Sequence, residues 1–260
     1  MRLIFAVILI SALAFAEARA GIPAGLEPGG TARAVEIVDG DTLVLEDGRE
    51  VRLVGIQAPK LPLGRKGFKP WPLAHEAKQA LGRLALGKTL TLAFGGQRMD
   101  RHRRALAHLF DAEGVWIQGA ILRLGLARVY SFADNRALVP EMLALEAGAR
   151  AARRGIWAEP FYAVRAAAAA GRHIGGFELV EGRVREVAIV RGRAYLNFGA
   201  DWREDFTVTL APAVRRRFEA EGVAPAAYRG RIVRVRGWIK SYNGPMIEAT
   251  HPEQIEVIGP

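Results

Sequence analysis

The stretch TARAVEIVDGDTLVLEDGREVRLVGIQA, residues 31–58, leaves the start of this chain few ways to fold. It holds three short apolar-rich runs, and the Asp-Gly pairs at Asp39-Gly40 and Asp47-Gly48 separate them. Asp-Gly favours tight reversals between strands, so the stretch predicts a three-strand meander. Two further runs, KTLTLAFGGQ and RALAHLFDAEGVW, predict two more strands. Between and after them come three segments with apolar residues at helical spacing: PLAHEAKQALGRLAL before Gly87, IQGAILRLGLARVY with Gly125 near its end, and ALVPEMLALEAGARAARRGIW with Gly155 near its end. Five strands and three helices, strands first, suit a mainly β, α+β domain in which helices pack on an OB-type five-stranded barrel.

A second region comes after it. IWAEPFYAVRAAAAAGRHIGG ends a helical segment, passes through a short alanine helix and closes on Gly175-Gly176. From there the alternation in RIVRVRGW and the Asn243-Gly244 turn predict five strands, with the helix AVRRRFEAEG between the third and fourth. That is the element order of a second, smaller OB-like β-barrel. The expected organisation is a first domain over 31–158, a linker over 159–174 and a second domain over 175–258.

Residues 1–20, MRLIFAVILISALAFAEARA, carry a cation at Arg2, an apolar run from Leu3 to Ala16 and the A-x-A pattern Ala18-Arg19-Ala20. This reads as a signal peptide, and it predicts an exported protein, periplasmic or secreted. The run is shorter than the roughly 20 residues that span a bilayer, and no span is expected in the mature chain. With no cysteine in the sequence, disulfides, thiolate catalysis and zinc-thiolate sites are excluded. The formal charge is +10, which points to an acidic partner. From Gly21 to His173 there are 22 Lys and Arg against 15 Asp and Glu; from Ile174 onward there are 13 against 11. The basic character therefore belongs to the first domain.

Three segments there carry candidate chemistry: DGDT at 39–42, RLVGIQAPK at 52–60 and DRHRR at 100–104. With LRLGLARVY and the terminal GIW at 155–157, they resemble the staphylococcal-nuclease-like, or thermonuclease, family. The resemblance covers about Ala34 to Trp157, with the motifs in order. It implies a nucleic-acid-binding protein and phosphodiester hydrolysis, in which Arg52 and Arg104 clamp a phosphate, Asp41 is a ligand of calcium and Thr42 supports the turn. Guanidinium groups suit the charge that builds on a five-coordinate phosphorus.

The sequence departs from the family pattern at three positions. Gln57 stands where the family has a second metal-binding Asp, Lys60 where it has the Glu that acts on water, and Arg103 where it has a Gly. A neutral amide oxygen is a weaker ligand for a hard cation, and an ammonium is neither ligand nor base. Two readings compete. Either the chain hydrolyses phosphodiesters with rearranged groups, Asp39, His102 or Glu76 supplying base or ligand, or it is an inactive binding module. An envelope structural or interaction protein is a third reading. Lys60, Arg65, Lys66, Arg101 and His102 are expected to extend the phosphate-binding surface. Phe68 and Trp71 either stack bases or anchor their loop. His75, His102 and His108 have no metal-ligand spacing. In the second domain, Tyr195, Phe198, Trp202 and Trp238 are either a stacking face or core.

Overall fold

The computed structural model describes residues 22–260; the expected signal peptide lies outside the described residues. Among these, no helix is long and apolar enough to cross a membrane.

The meander forms as its turns require. Strands β1 (Glu27–Asp39), β2 (Thr42–Leu45) and β3 (Glu50–Leu53) pair antiparallel in sequence. Gly48 closes the second turn at φ +82°. Gly40 serves the first turn differently. A Cβ there would lie 2.7 Å from the Cβ atoms of both Ala58 and Ala77, so glycine is required by close packing. After β3 the chain makes a short strand β4 (Ile56–Gln57), helix α1 (Ala74–Ala85), strands β5 (Thr89–Phe94) and β6 (Ala105–Phe110), helix α2 (Ile117–Arg123), a short strand β7 (Arg128–Val129) and helix α3 (Val139–Ala151).

Parallel pairing of β3 with β6 and antiparallel pairing of β5 with β1 close a barrel in the order β1-β2-β3-β6-β5. Leu43, Val51, Leu53, Leu90, Leu92 and Leu109 fill it and are fully buried or nearly so. The three helices pack their apolar faces on the same core through Leu81, Ile121 and Met142. β4 and β7 pair with each other outside the barrel and set Gln57 opposite Arg128.

The expected linker is built into the second core. Strand β8 (Arg165–Ala166) pairs parallel with β9 (Phe177–Arg183), and Ala170 is buried among the apolar residues of that core. The alanine-rich piece is 3-10 rather than α-helical. β9 runs almost directly into β10 (Glu186–Val190), followed by β11 (Arg193–Asn197), β12 (Thr207–Leu210), helix α4 (Pro212–Ala220), β13 (Ile232–Ser241), β14 (Pro245–Glu248) and β15 (Ile255–Gly259). The sheet order is β10-β11-β12-β14-β13-β9-β8, with β12 parallel to β14 and β15 paired to β13. Its core gathers Phe206, Val208, Phe218, Val233 and Ile247.

The two cores meet across a charged, buried seam. Arg236 on β13, 1% exposed, bonds both oxygens of Glu146 on α3 at 3.0 Å and the carbonyl of Val129 at 3.2 Å. Glu256 on β15 and Arg150 on α3 extend this pair into a network. Burial alone disfavours both charges. Their mutual attraction outweighs it, holding Glu146 below the usual carboxylate range and Arg236 above the usual guanidinium range. Ser131 and His251 bond at 2.8 Å across the same seam, and Arg136 reaches both Glu221 and Glu253.

Candidate anion-binding site

Asp39 ends β1, Asp41 lies in the tight turn and Thr42 starts β2, so the turn delivers two carboxylates to one end of the barrel. Asp41 is fully buried. Lys60 Nζ donates to its Oδ1 at 2.8 Å and its Oδ2 at 2.7 Å. The Ala58 backbone N–H donates to Oδ2 at 2.6 Å, and Arg52 Nη1 lies 3.1 Å from Oδ1. Thr42 Oγ1 adds a longer bond at 3.3 Å. Burial would raise the pKa of Asp41, but Arg52 and Lys60 outweigh it and hold the carboxyl well below the usual range. Asp39 receives less support. Burial and the neighbouring Asp41 charge push it up, against Lys60 at 3.4 Å.

Arg52 projects from β3 and is tied to the backbone around it. Nη1 donates to the carbonyls of Asp41 and Leu53, and Nη2 to that of Ile56 at 2.7 Å. Arg104 is held from the other side. Asp100 Oδ2 accepts from its Nε at 2.8 Å, while Asp100 Oδ1 accepts the backbone N–H groups of His102 and Arg104. Against the cost of burial, these bonds keep Asp100 ionised below its usual pKa. The Nη1 of Arg104 faces Glu50 at 3.9 Å, too far for a hydrogen bond. Arg103, in the place of the family glycine, takes φ +66°, so the turn adopts the left-handed conformation at a steric cost.

Arg52, Arg101, His102 and Arg104 line a cavity of about 750 Å³ together with the aromatic residues Tyr130, Phe132 and Trp238. Arg101 and His102 are exposed, with Arg101 Nε 3.1 Å from His102 Nε2. Lys60 does not line this cavity, nor does the loop beyond it. In that loop Arg65 donates to the carbonyls of Leu61 and Pro62 and lies 3.8 Å from the Phe68 ring centre. Lys66 and Lys69 are exposed. Trp71 packs against Phe161 and Tyr162, and Tyr162 donates to the Pro72 carbonyl, so Trp71 anchors the loop to the segment that joins the two cores. Glu76 and His75 are exposed on α1, away from the cavity. His108 is buried, and burial lowers its pKa to about 4.

Sequence patterns correspond to this geometry. A family model described as staphylococcal nuclease homologue matches residues 50–159. A 166-residue stretch is 31% identical to Protein ParB of Escherichia coli, covering 60% of this chain and 81% of that protein. The chain belongs to the staphylococcal nuclease homologue family. A protein of Escherichia coli O157:H7 named an uncharacterized endonuclease is 28% identical over 130 residues, covering 49% of this chain and 76% of that protein. An uncharacterized protein of Bacillus anthracis is 32% identical over 130 residues, covering 48% of this chain and 59% of its own length.

The staphylococcal nuclease resemblance implies calcium at Asp41, and the donor set here does not suit it. Calcium takes roughly six to eight oxygen ligands. Both Asp41 oxygens already accept short bonds from nitrogen donors, and the Lys60 ammonium lies between Asp39 and Asp41. Gln57 Oε1 accepts from Arg128 Nε at 2.9 Å and Nη2 at 2.7 Å. Among the described residues, no group of three or more His, Asp or Glu is placed to hold a metal.

Arg128 itself escaped the sequence reading. It is buried, ringed by Phe177 at 4.7 Å and by Trp71 and Tyr162 at 5.9 Å, and burial lowers its pKa to about 10. Its only signal was a cation inside the apolar run GLARVY.

Proposed function

We propose that this protein binds nucleic-acid phosphates at the cavity beside Arg52 and Arg104 and does so without calcium-dependent cleavage. The observation that carries the reading is the Lys60 ammonium seated 2.7 and 2.8 Å from the two oxygens of Asp41. A fixed side chain there neutralises the carboxylate that a metal would otherwise bridge to phosphate. The same substitution removes the carboxylate that would act on water, since Lys60 stands in its place.

What remains is suited to binding. Asp100 orients Arg104 by a paired bond to its guanidinium and leaves Nη1 turned toward the more distant Glu50. Arg101 adds an exposed cation on the same turn. A phosphodiester meeting Arg104 and Arg101 forms charge-assisted hydrogen bonds, and Arg52 contributes positive potential from the cavity lining. Nucleic acid, rather than a smaller anion, is favoured by the excess of cations in the first domain and by the endonuclease name of a relative. The pattern of residues 1–20 supports action after export, in the periplasm or outside the cell.

The test uses the purified chain without residues 1–20, with labelled single- and double-stranded DNA and RNA, in calcium, magnesium or chelator. Expected are binding that weakens steeply as salt rises, equal binding in calcium and chelator, and no calcium-stimulated cleavage. Arg104→Ala is expected to weaken binding by about tenfold. Robust calcium-dependent cleavage abolished by Arg52→Ala would overturn the loss of the reaction. Indifference to every nucleic acid at low salt would overturn the binding reading itself.

A further inference from the structure

The cavity beside the arginines is completed by the second core. Trp238, on β13, lines it together with Tyr130 and Phe132. Its indole Nε1–H donates to the Tyr130 hydroxyl at 2.9 Å. Four rings continue edge to face across the seam: Phe132 to Tyr130 at 4.9 Å, Tyr130 to Phe177 at 4.7 Å, and Phe177 to Trp238 at 6.2 Å. The inner two are partly or wholly covered, while Phe132 and Trp238 at the ends are 51% and 47% exposed. Large aromatic faces held half-open inside a cavity are costly to leave bare, and here they stand in the cavity that holds the Arg101 and Arg104 cations.

The position of Trp238 is fixed. It pairs with Phe177 in the β13–β9 ladder, and two residues earlier on β13 Arg236 is locked to Glu146 of the first core. The seam therefore holds an aromatic from one core at a constant place relative to arginines from the other. A ligand that satisfies both walls carries an anionic group and a flat, apolar-faced ring, joined within a cavity of about 750 Å³. That volume suits one or a few nucleotides rather than a duplex. A duplex keeps its base faces stacked; a single strand presents them.

We propose that Trp238, with Phe132, forms a base-stacking wall contributed across the domain seam, which makes this a composite site for single-stranded nucleic acid. The proposal rests on the nucleic-acid reading of the arginine wall and adds the second domain to it. It gives that domain a direct part in ligand selection.

Fluorescence anisotropy tests it with a labelled twelve-nucleotide thymidine single strand, the same length of abasic strand and a duplex. The proteins are the parent chain, Trp238→Ala and Trp238→Phe, with folding checked by circular dichroism. The parent is expected to bind the thymidine strand about tenfold more tightly than the abasic one. Trp238→Ala should erase that difference by weakening the thymidine strand far more than the abasic one. Trp238→Phe, which keeps a ring but not the bond to Tyr130, should restore most of it. Equal affinity of the parent for thymidine and abasic strands, or full base preference in Trp238→Ala, would overturn the proposal while leaving the phosphate reading intact. No binding of the parent to any strand would overturn both. A weakened Trp238→Ala with equal losses on both strands would assign Trp238 a structural part only and overturn the stacking role.

Discussion

Asp41 is fully buried, so its charge rests chiefly on Lys60, Arg52 and the Ala58 N–H. Breaking a buried pair by deleting one partner is more damaging than the pair's net contribution, because the other charge is left behind. Lys60 is partly exposed and Arg52 remains, so Lys60→Met is expected to cost about 2 kcal/mol at pH 7 in urea unfolding, below the usual range for a fully buried pair. The pH dependence has a definite sign. Asp41 is held below its ordinary pKa, so its contribution is complete above about pH 4 and is lost as pH falls further. Lys60→Met should therefore lose less stability than the parent between pH 4 and pH 2. Gln57→Asp gives a second outcome at this scale. The new carboxylate would face Arg128, which now has a neutral amide as its hydrogen-bond partner. Gln57→Asp is expected to raise the melting temperature by a few degrees and to produce no calcium binding by titration calorimetry; a calcium signal would show that Arg128 does not hold that carboxylate.

At the scale of elements, turns were the most readable feature and paired elements the least. Asp-Gly at 39–40 and 47–48 marked the reversals because few other dipeptides close a hairpin so well. The apolar periods of α1 and α3 marked helices because both bury one face on the barrel. Nothing in a single strand announces its partner across the molecule. The pairing of β4 with β7, which sets Gln57 against Arg128, joins residues 71 apart in sequence. The same limit hid the fate of Lys60. Its charge was legible, but whether it faced solvent or Asp41 depended on how the β4 exit folds back on the turn. The 100–104 turn carries the test for this scale. Arg103 holds φ +66° where the family has glycine. Arg103→Gly should relieve a left-handed strain of about 1–2 kcal/mol and lose part of that gain to the freer unfolded chain. The expected net stabilisation is about 0.5–1 kcal/mol in denaturant unfolding, with Arg104 still held by Asp100 and binding unchanged. Gly40→Ala should act oppositely, costing about 1–3 kcal/mol, because its Cβ would collide with Ala58 and Ala77 together.

Across the whole molecule, the seam between the cores is what turns two folds into one binding surface, and it contains its own pH dependence. His251 is fully buried and bonds Ser131 across the seam and Thr250 beside it. Burial lowers its pKa to about 4; the Glu253 charge works against that, while Arg136, Arg236 and Arg217 reinforce it. A histidine whose folded pKa lies below the unfolded value of about 6.5 leaves stability intact above that pH. As pH falls from about 6.5 toward 4, the unfolded state takes up a proton that the folded seam resists, and stability drains away. Glu146 and Asp41, held below their ordinary pKa values, stay charged through most of this range, so the early acid loss belongs to the histidines. His108 shares it, with a pKa also near 4, but it lies in the first barrel rather than at the seam. Scanning calorimetry separates the two. The parent is expected to melt in one transition at pH 7 and to broaden or split near pH 5 as the seam loosens. His251→Gln removes the titrating group from the seam and should keep the single transition down to pH 5, while His108→Gln should leave the splitting in place. A parent that melts as one unit at pH 5, or a His251→Gln variant that splits as the parent does, would remove His251 as the acid-sensitive point. The base preference of the cavity should fall together with the seam, since Trp238 shares the cavity with the arginines only while the two cores stay joined.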